Sequence, residues 1–191
     1  MNLRKPSLEF EHEYEVEILT ELPSGDIERF YFPGGSNAGG PDGLLVRVTH
    51  PKRAAWLGVF EFGVRGMEAV SSVMSCPDPR SLLVVASGLG VAVRCAEPTI
   101  YQRLPVFPIV GIRVERVRRM ILIHDYTTVA AIGEGGLIWR TNRLSWDGIK
   151  LNDIEGDSLV GVASDPTGGK SVAFRIDLLS GTHSGGTGPD S

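Results

Sequence analysis

The residues of this chain that could do chemistry are four histidines, two cysteines and a scatter of carboxylates. The histidines are His12, His50, His124 and His183, and no two share the His-x-x-x-His spacing that sets two imidazoles on one helical face to hold a metal. His124-Asp125 is the most suggestive pair. Neighbours on a strand point to opposite faces, so these two make no dyad with each other. Cys76 and Cys95 do not form a Cys-x-x-Cys pair, which removes the usual spacing of a structural zinc site. They read as two reduced, half-buried thiols, with a disulfide open only if their two runs are neighbours. Nucleophilic catalysis needs a Ser or Cys beside a base, and there is no Gly-x-Ser-x-Gly elbow. Asn152-Asp153-Ile154-Glu155-Gly156-Asp157 is acidic but lacks the alternating ligand pattern of a calcium loop. Glu134, Asp147, Asp153 and Asp157 fall near turns, and an enzyme would have to bring such carboxylates together from separate loops. No catalytic residue, metal ligand or cofactor is therefore predicted.

Recognition is the chemistry better represented. Trp139, Arg140, Arg143, Trp146 and Asp147 crowd one segment. Trp and Arg are the residue types that most often anchor protein interfaces, and they stack on each other as cation–π pairs. The competing reading is a core tryptophan with arginine stems packed at its rim. Arg113, Arg116, Arg118 and Arg119 form a second basic run, but strand geometry puts Arg113 on the face opposite Arg116 and Arg118. With a net charge of −4 and a pI near 5.6, the chain lacks the broad basic field that nucleic acid requires.

The elements that must position these residues are short. The chain has 191 residues with 24 Gly and 12 Pro, and such heavy punctuation favours many short strands over long helices. Its longest apolar run, Leu82–Ala86, is far below the ~20 residues that cross a bilayer. The N-terminus has no apolar core after its basic residues, so a cytoplasmic protein without a membrane span is expected. Glu9 to Ile18 alternates strictly between glutamates and Phe10, His12, Tyr14, Val16 and Ile18, the pattern of an outer strand with one charged face. A second strand is expected within 8–32, then a Gly-rich loop over 33–43. A strand rather than a helix follows that loop, which argues against phosphate binding.

From Leu44 a period appears. Apolar starts at Leu44, Leu82, Ile121 and Leu159 lie 38, 39 and 38 residues apart. Each is followed by a second run: Trp56–Phe62, Gly90–Arg94, Thr127–Ile132 and Ser171–Asp177. One unit can be laid out as Met120–His124, Thr127–Ile132, Leu137–Thr141 and Ile149–Ile154, separated by Gly and Asp turns. In this layout the region resembles β-propeller repeat proteins, whose blades carry four strands each. Trp146-Asp147 looks like the end of a WD-type repeat, but it occurs once and has no upstream Gly-His partner, so no functional residue is carried over.

The expected fold is all-β, with antiparallel meanders in about four repeat units over 44–179, arranged as a propeller-like ring or open arc. The alternative is a β-sandwich or barrel. One domain is expected over 1–179, with 180–191 as a disordered tail. The expected function is a non-catalytic module that binds a protein partner or serves as a scaffold. Its binding surface would be Trp139, Arg140, Arg143, Trp146 and Asp147, and a homo-oligomer is compatible with the repeat count. The alternative is an enzyme with an acidic or metal site built from loops of the array.

Overall fold

The computed structural model describes residues 5–34, 42–64, 68–164 and 169–189. Within them lie sixteen strands and no helix. They form four sheets of four strands, none closed into a barrel.

Sheet 1 contains β1 (Glu15–Leu19), β2 (Glu28–Phe32), β3 (Gly43–His50) and β4 (Arg53–Glu61). Sheet 2 contains β5 (Ser72–Ser75), β6 (Ser81–Ala86), β7 (Leu89–Arg94) and β8 (Tyr101–Arg103). Sheet 3 contains β9 (Gly111–Glu115), β10 (Met120–His124), β11 (Val129–Gly133) and β12 (Gly136–Arg140). Sheet 4 contains β13 (Ile149–Glu155), β14 (Ser158–Ser164), β15 (Ser171–Asp177) and β16 (His183–Gly185). Sheets 2, 3 and 4 are antiparallel meanders in chain order.

The second strand of each sheet records where that sheet sits. In β6, Leu82, Val84 and Ala86 join one apolar cluster with sheet 1, while Leu83 and Val85 join another with sheet 3. In β10, Ile121 and Ile123 face sheet 2, while Met120 and Leu122 face sheet 4. Side chains alternate across a strand, so a strand covered on both faces must be apolar at every position. The continuous runs LLVVA and MILI meet that demand. In β3 only Leu44, Val46 and Val48 enter a cluster; Leu45, Arg47 and Thr49 face away. The four sheets thus stack in sequence order, with sheets 2 and 3 inside. Among the described residues, no apolar cluster joins sheet 1 to sheet 4.

Hydrogen bonds repeat at the same spacing. Trp56 Nε1 donates to the Cys95 carbonyl at 2.8 Å, and Trp139 Nε1 donates to the Leu178 carbonyl at 2.8 Å. Each of these bonds runs 39 residues forward into the next sheet. Arg113 reaches the Asn152 carbonyl and the Asp153 carboxylate, both at 2.9 Å. Arg118 reaches the Gly156 carbonyl at 2.8 Å and Asp157 at 2.6 Å. The two arginines thus also reach 38 to 40 residues forward, from sheet 3 into sheet 4.

Three expectations need correction. Sheet 1 is not a meander: its order is β1-β3-β4-β2, with β2 parallel to β4. It is a β3–β4 hairpin flanked by two added edge strands, and the acidic β1 is one of those edges. The unit expected to end with Ile149–Ile154 instead begins with β9, and Ile149 opens sheet 4. The segment expected to be a loose tail from Ser180 supplies β16. It is tied down by Thr187 N–H to the Leu144 carbonyl at 2.8 Å and by Gly181 packed under the Trp139 ring. Cys76 and Cys95 are both free and buried. Burial pushes the Cys76 thiol up to about 12, so both chemistry and access argue against a reactive thiolate there. Residues 35–41 of the Gly-rich loop and 165–168 of the turn before β15 lie outside the described residues.

Residues 7–14 run along the stack as a strap. Ser7 exchanges backbone hydrogen bonds with Val73 and Ser75 beside β5, and Phe10 N–H donates to Ser75 Oγ at 2.9 Å. Tyr14 Oη donates to the Ser81 carbonyl at 2.8 Å. Phe10 is buried in the cluster between sheets 2 and 3, and Tyr14 in the one between sheets 1 and 2.

Candidate functional site

β12 is the outer strand of sheet 3, paired only with β11. Its register shifts opposite Ala131 and Ile132, which makes Ile138 the extra residue of a bulge. Trp139 and Leu137 are two positions apart, yet the bulge parts them: Leu137 is 43% exposed and Trp139 only 7%. Ile138 is 48% exposed and lies over Gly133, where a Cβ would come within 2.7 Å of its Cδ1.

The loop after β12 is pinned from inside. Leu144 is fully buried between sheets 3 and 4, and its N–H donates to the Thr127 carbonyl at 2.8 Å. Ser145 is also fully buried and donates from Oγ to the Ser164 carbonyl at 3.1 Å. On this anchor, Arg143 donates from Nε to the Ser145 carbonyl at 3.0 Å and lays its guanidinium over the Trp146 ring, 4.7 Å from the centroid. Trp146 is 49% exposed. Asp147 is exposed, with its N–H donating to Ser145 Oγ at 3.3 Å. Arg140 is exposed and leans on Thr128 Oγ1 at 3.3 Å.

Of the five residues expected to form a binding surface, Arg143, Trp146 and Asp147 therefore share one loop. Arg140 is exposed on the adjoining strand. Trp139 points into the core and serves the sheet 3–sheet 4 junction. Sequence reasoning missed the exposed Leu137 and Ile138. An apolar pair on a strand reads as core, and only the bulge turns both outward.

The remaining titratable groups do structural work. His124 lies against Gly111, where a Cβ would fall 2.0 Å from Nε2, so only glycine fits opposite it. Burial lowers its proton affinity, partly offset by the Asp125 carbonyl at 2.9 Å from Nδ1. Asp125 accepts from the N–H groups of Thr127 and Thr128, each at 2.6 Å, and closes the turn before β11. Burial pushes the Asp78 carboxyl up, but the Arg80 side chain and N–H and the Ser81 hydroxyl outweigh it and hold the group below its usual range. Glu134 and Asp78 line a shallow cleft between sheets 2 and 3, together with Arg80, Arg94 and Gln102. Among the described residues, no three His, Cys, Asp or Glu side chains are grouped to hold a metal ion. No helix there is long and apolar enough to cross a membrane. No protein-family model matches the chain, and no curated protein matches it in sequence.

Proposed function

We propose that the protein is a non-catalytic protein-binding or scaffold module. Its partner surface is the rim formed by β12 and the loop after it. The observation that carries this reading is the Arg143–Trp146 stack, held out to solvent by the buried anchors Leu144 and Ser145. A tryptophan and an arginine fixed in advance lose little conformational freedom on binding, so more of their contact energy reaches the complex. Leu137 and Ile138 add apolar area on the adjoining strand, and Arg140 and Asp147 supply a polar border. The test is recovery of copurifying proteins from native lysate with wild type, Trp146→Ala and the double change Arg140→Ala with Arg143→Ala. Loss of the same partner with both variants, at unchanged circular dichroism, is expected. Equal recovery by all three proteins would remove the rim from consideration.

A further inference from the structure

Among the described residues, the stack ends on two sheet faces that have no sheet against them, and both carry apolar residues among charged ones. On sheet 1, the register aligns Leu19, Leu45, Val59 and Tyr31 across all four strands on the side away from sheet 2. Leu19, Leu45 and Tyr31 are half-buried, and none of the four belongs to any of the three clusters. On sheet 4, β14 reads Leu159, Gly161 and Ala163 toward sheet 3, and Val160 and Val162 away from it. β14 itself is apolar on both faces, with Val160 and Val162 half-buried among Lys150, Arg175 and Ser184 of its neighbours. A wet face of an antiparallel sheet ordinarily alternates to polar residues.

Charge also matches across the two ends. β1 and β13 hold the same place, first in their sheets. On the outward face β1 carries Glu15 and Glu17, with Arg47 opposite Glu17, while β13 carries Lys150 opposite Val162. One internal junction places an ion pair between first strands, Arg113 of β9 with Asp153 of β13, and a second, Arg118 with Asp157, in the turns after them. Arg175 on β15 is held by Glu155 of its own sheet, and Arg29 of β2 lies at the far edge of sheet 1.

We infer that the occupant of each end face is a second copy of this chain, with sheet 4 of one copy packing on sheet 1 of the other and Lys150 meeting Glu17. The contact stacks sheet face on sheet face, as the three junctions inside the chain do. Made twice between two copies, it closes a ring of eight sheets, within the roughly four to eight blades that propellers hold. A head-to-tail contact that failed to close would grow into filaments instead. The proposal is independent of the rim surface.

The test is the mass of the full chain by sedimentation equilibrium across a concentration series. The expected mass is twice the chain's 20.6 kDa. Glu17→Lys alone and Lys150→Glu alone should each shift the protein toward the single-chain mass, and the two together should restore the pair. Both side chains are exposed, so circular dichroism should show all three variants folded. Trp146→Ala should leave the mass unchanged. A wild type that stays single at every concentration overturns the inference. So does a mass that keeps growing past two copies, or single variants that remain paired.

Discussion

Two kinds of junction hold the four sheets together. Between sheets 1 and 2, and between sheets 3 and 4, a tryptophan donates to a carbonyl 39 residues on. Among the described residues, there is no such bond between sheets 2 and 3. Aliphatic packing by Met74, Leu83, Val85, Leu104, Ile109, Ile121, Ile123 and Ile132 fills that space, closed at one side by Phe10 of the strap. Arg119 adds a bond from Nη2 to the Pro77 carbonyl at 2.8 Å. The middle junction therefore depends mainly on shape, while each of the outer two also depends on a tryptophan's directed bond. Shape tolerates small losses poorly, because a close-packed interior relaxes little around a void.

The largest expected effect is Ile121→Ala in the middle junction. The side chain is fully buried, and its truncation should cost about 2–5 kcal/mol, read as a lower urea midpoint at unchanged slope. A cost under about 1 kcal/mol would mean that the junction collapses around the void.

Next comes the directed bond. Trp56 is fully buried, with Phe30 edge-on at 5.6 Å, so Trp56→Phe leaves the Cys95 carbonyl without its donor in a dry site. The expected loss is about 1–3 kcal/mol beyond the change in packing. Trp139→Phe should cost less, since Trp139 is 7% exposed where Trp56 is fully buried. Equal losses would show that burial does not separate the two junctions.

A pH effect should follow in size. His124 is held neutral by burial in the folded protein, and its unfolded counterpart titrates near 6.5. Stability from this site is therefore complete above about 6.5 and declines as pH falls toward the lowered folded value, because the unfolded chain takes up the proton first. Replacing His124 with Gln should flatten the stability curve in that window; an unchanged slope would place the acid sensitivity elsewhere.

The smallest effect belongs to Arg113→Ala at the sheet 3–sheet 4 junction. Hydrogen bonding from Arg113 lowers the Asp153 carboxyl, but the pair is open to solvent and screened by salt. The variant should unfold close to wild type, with any difference fading at high salt.

Much of this architecture was legible because burial on both faces leaves a mark. The four apolar starts fell on β3, β6, β10 and β14, the second strand of every sheet, and the runs after them fell on the third strands. The first and fourth strands were harder to read. β9 mixes Arg113 and Glu115 with half-buried Ile112 and Val114, and β8 is three exposed residues, so neither shows a periodic signal. β16 is equally short and hangs from backbone bonds that no side-chain pattern announces. The parallel placement of β2 depends on where Phe30 and Phe32 find room beside Trp56 and Phe60, a three-dimensional fact. Residue type marked the Trp–Arg segment as capable of recognition. The bulge at Ile138 decided which tryptophan faced outward, and nothing in the local sequence names a bulge.

The strap bears on the order in which the chain can assemble. Most sheet-to-sheet bonds join residues one repeat apart, so each sheet can lock onto its predecessor as soon as it is made. Residues 7–14 are different: Phe10 waits for Ser75, 65 residues later, and Glu9 waits for Arg116, 107 residues later. Closing loops of that length is slow compared with pairing neighbours. This stretch, made before the sheets it crosses, is thus among the last to be fastened, and until then Glu9, Glu11 and Glu13 keep it from pairing with the wrong edge.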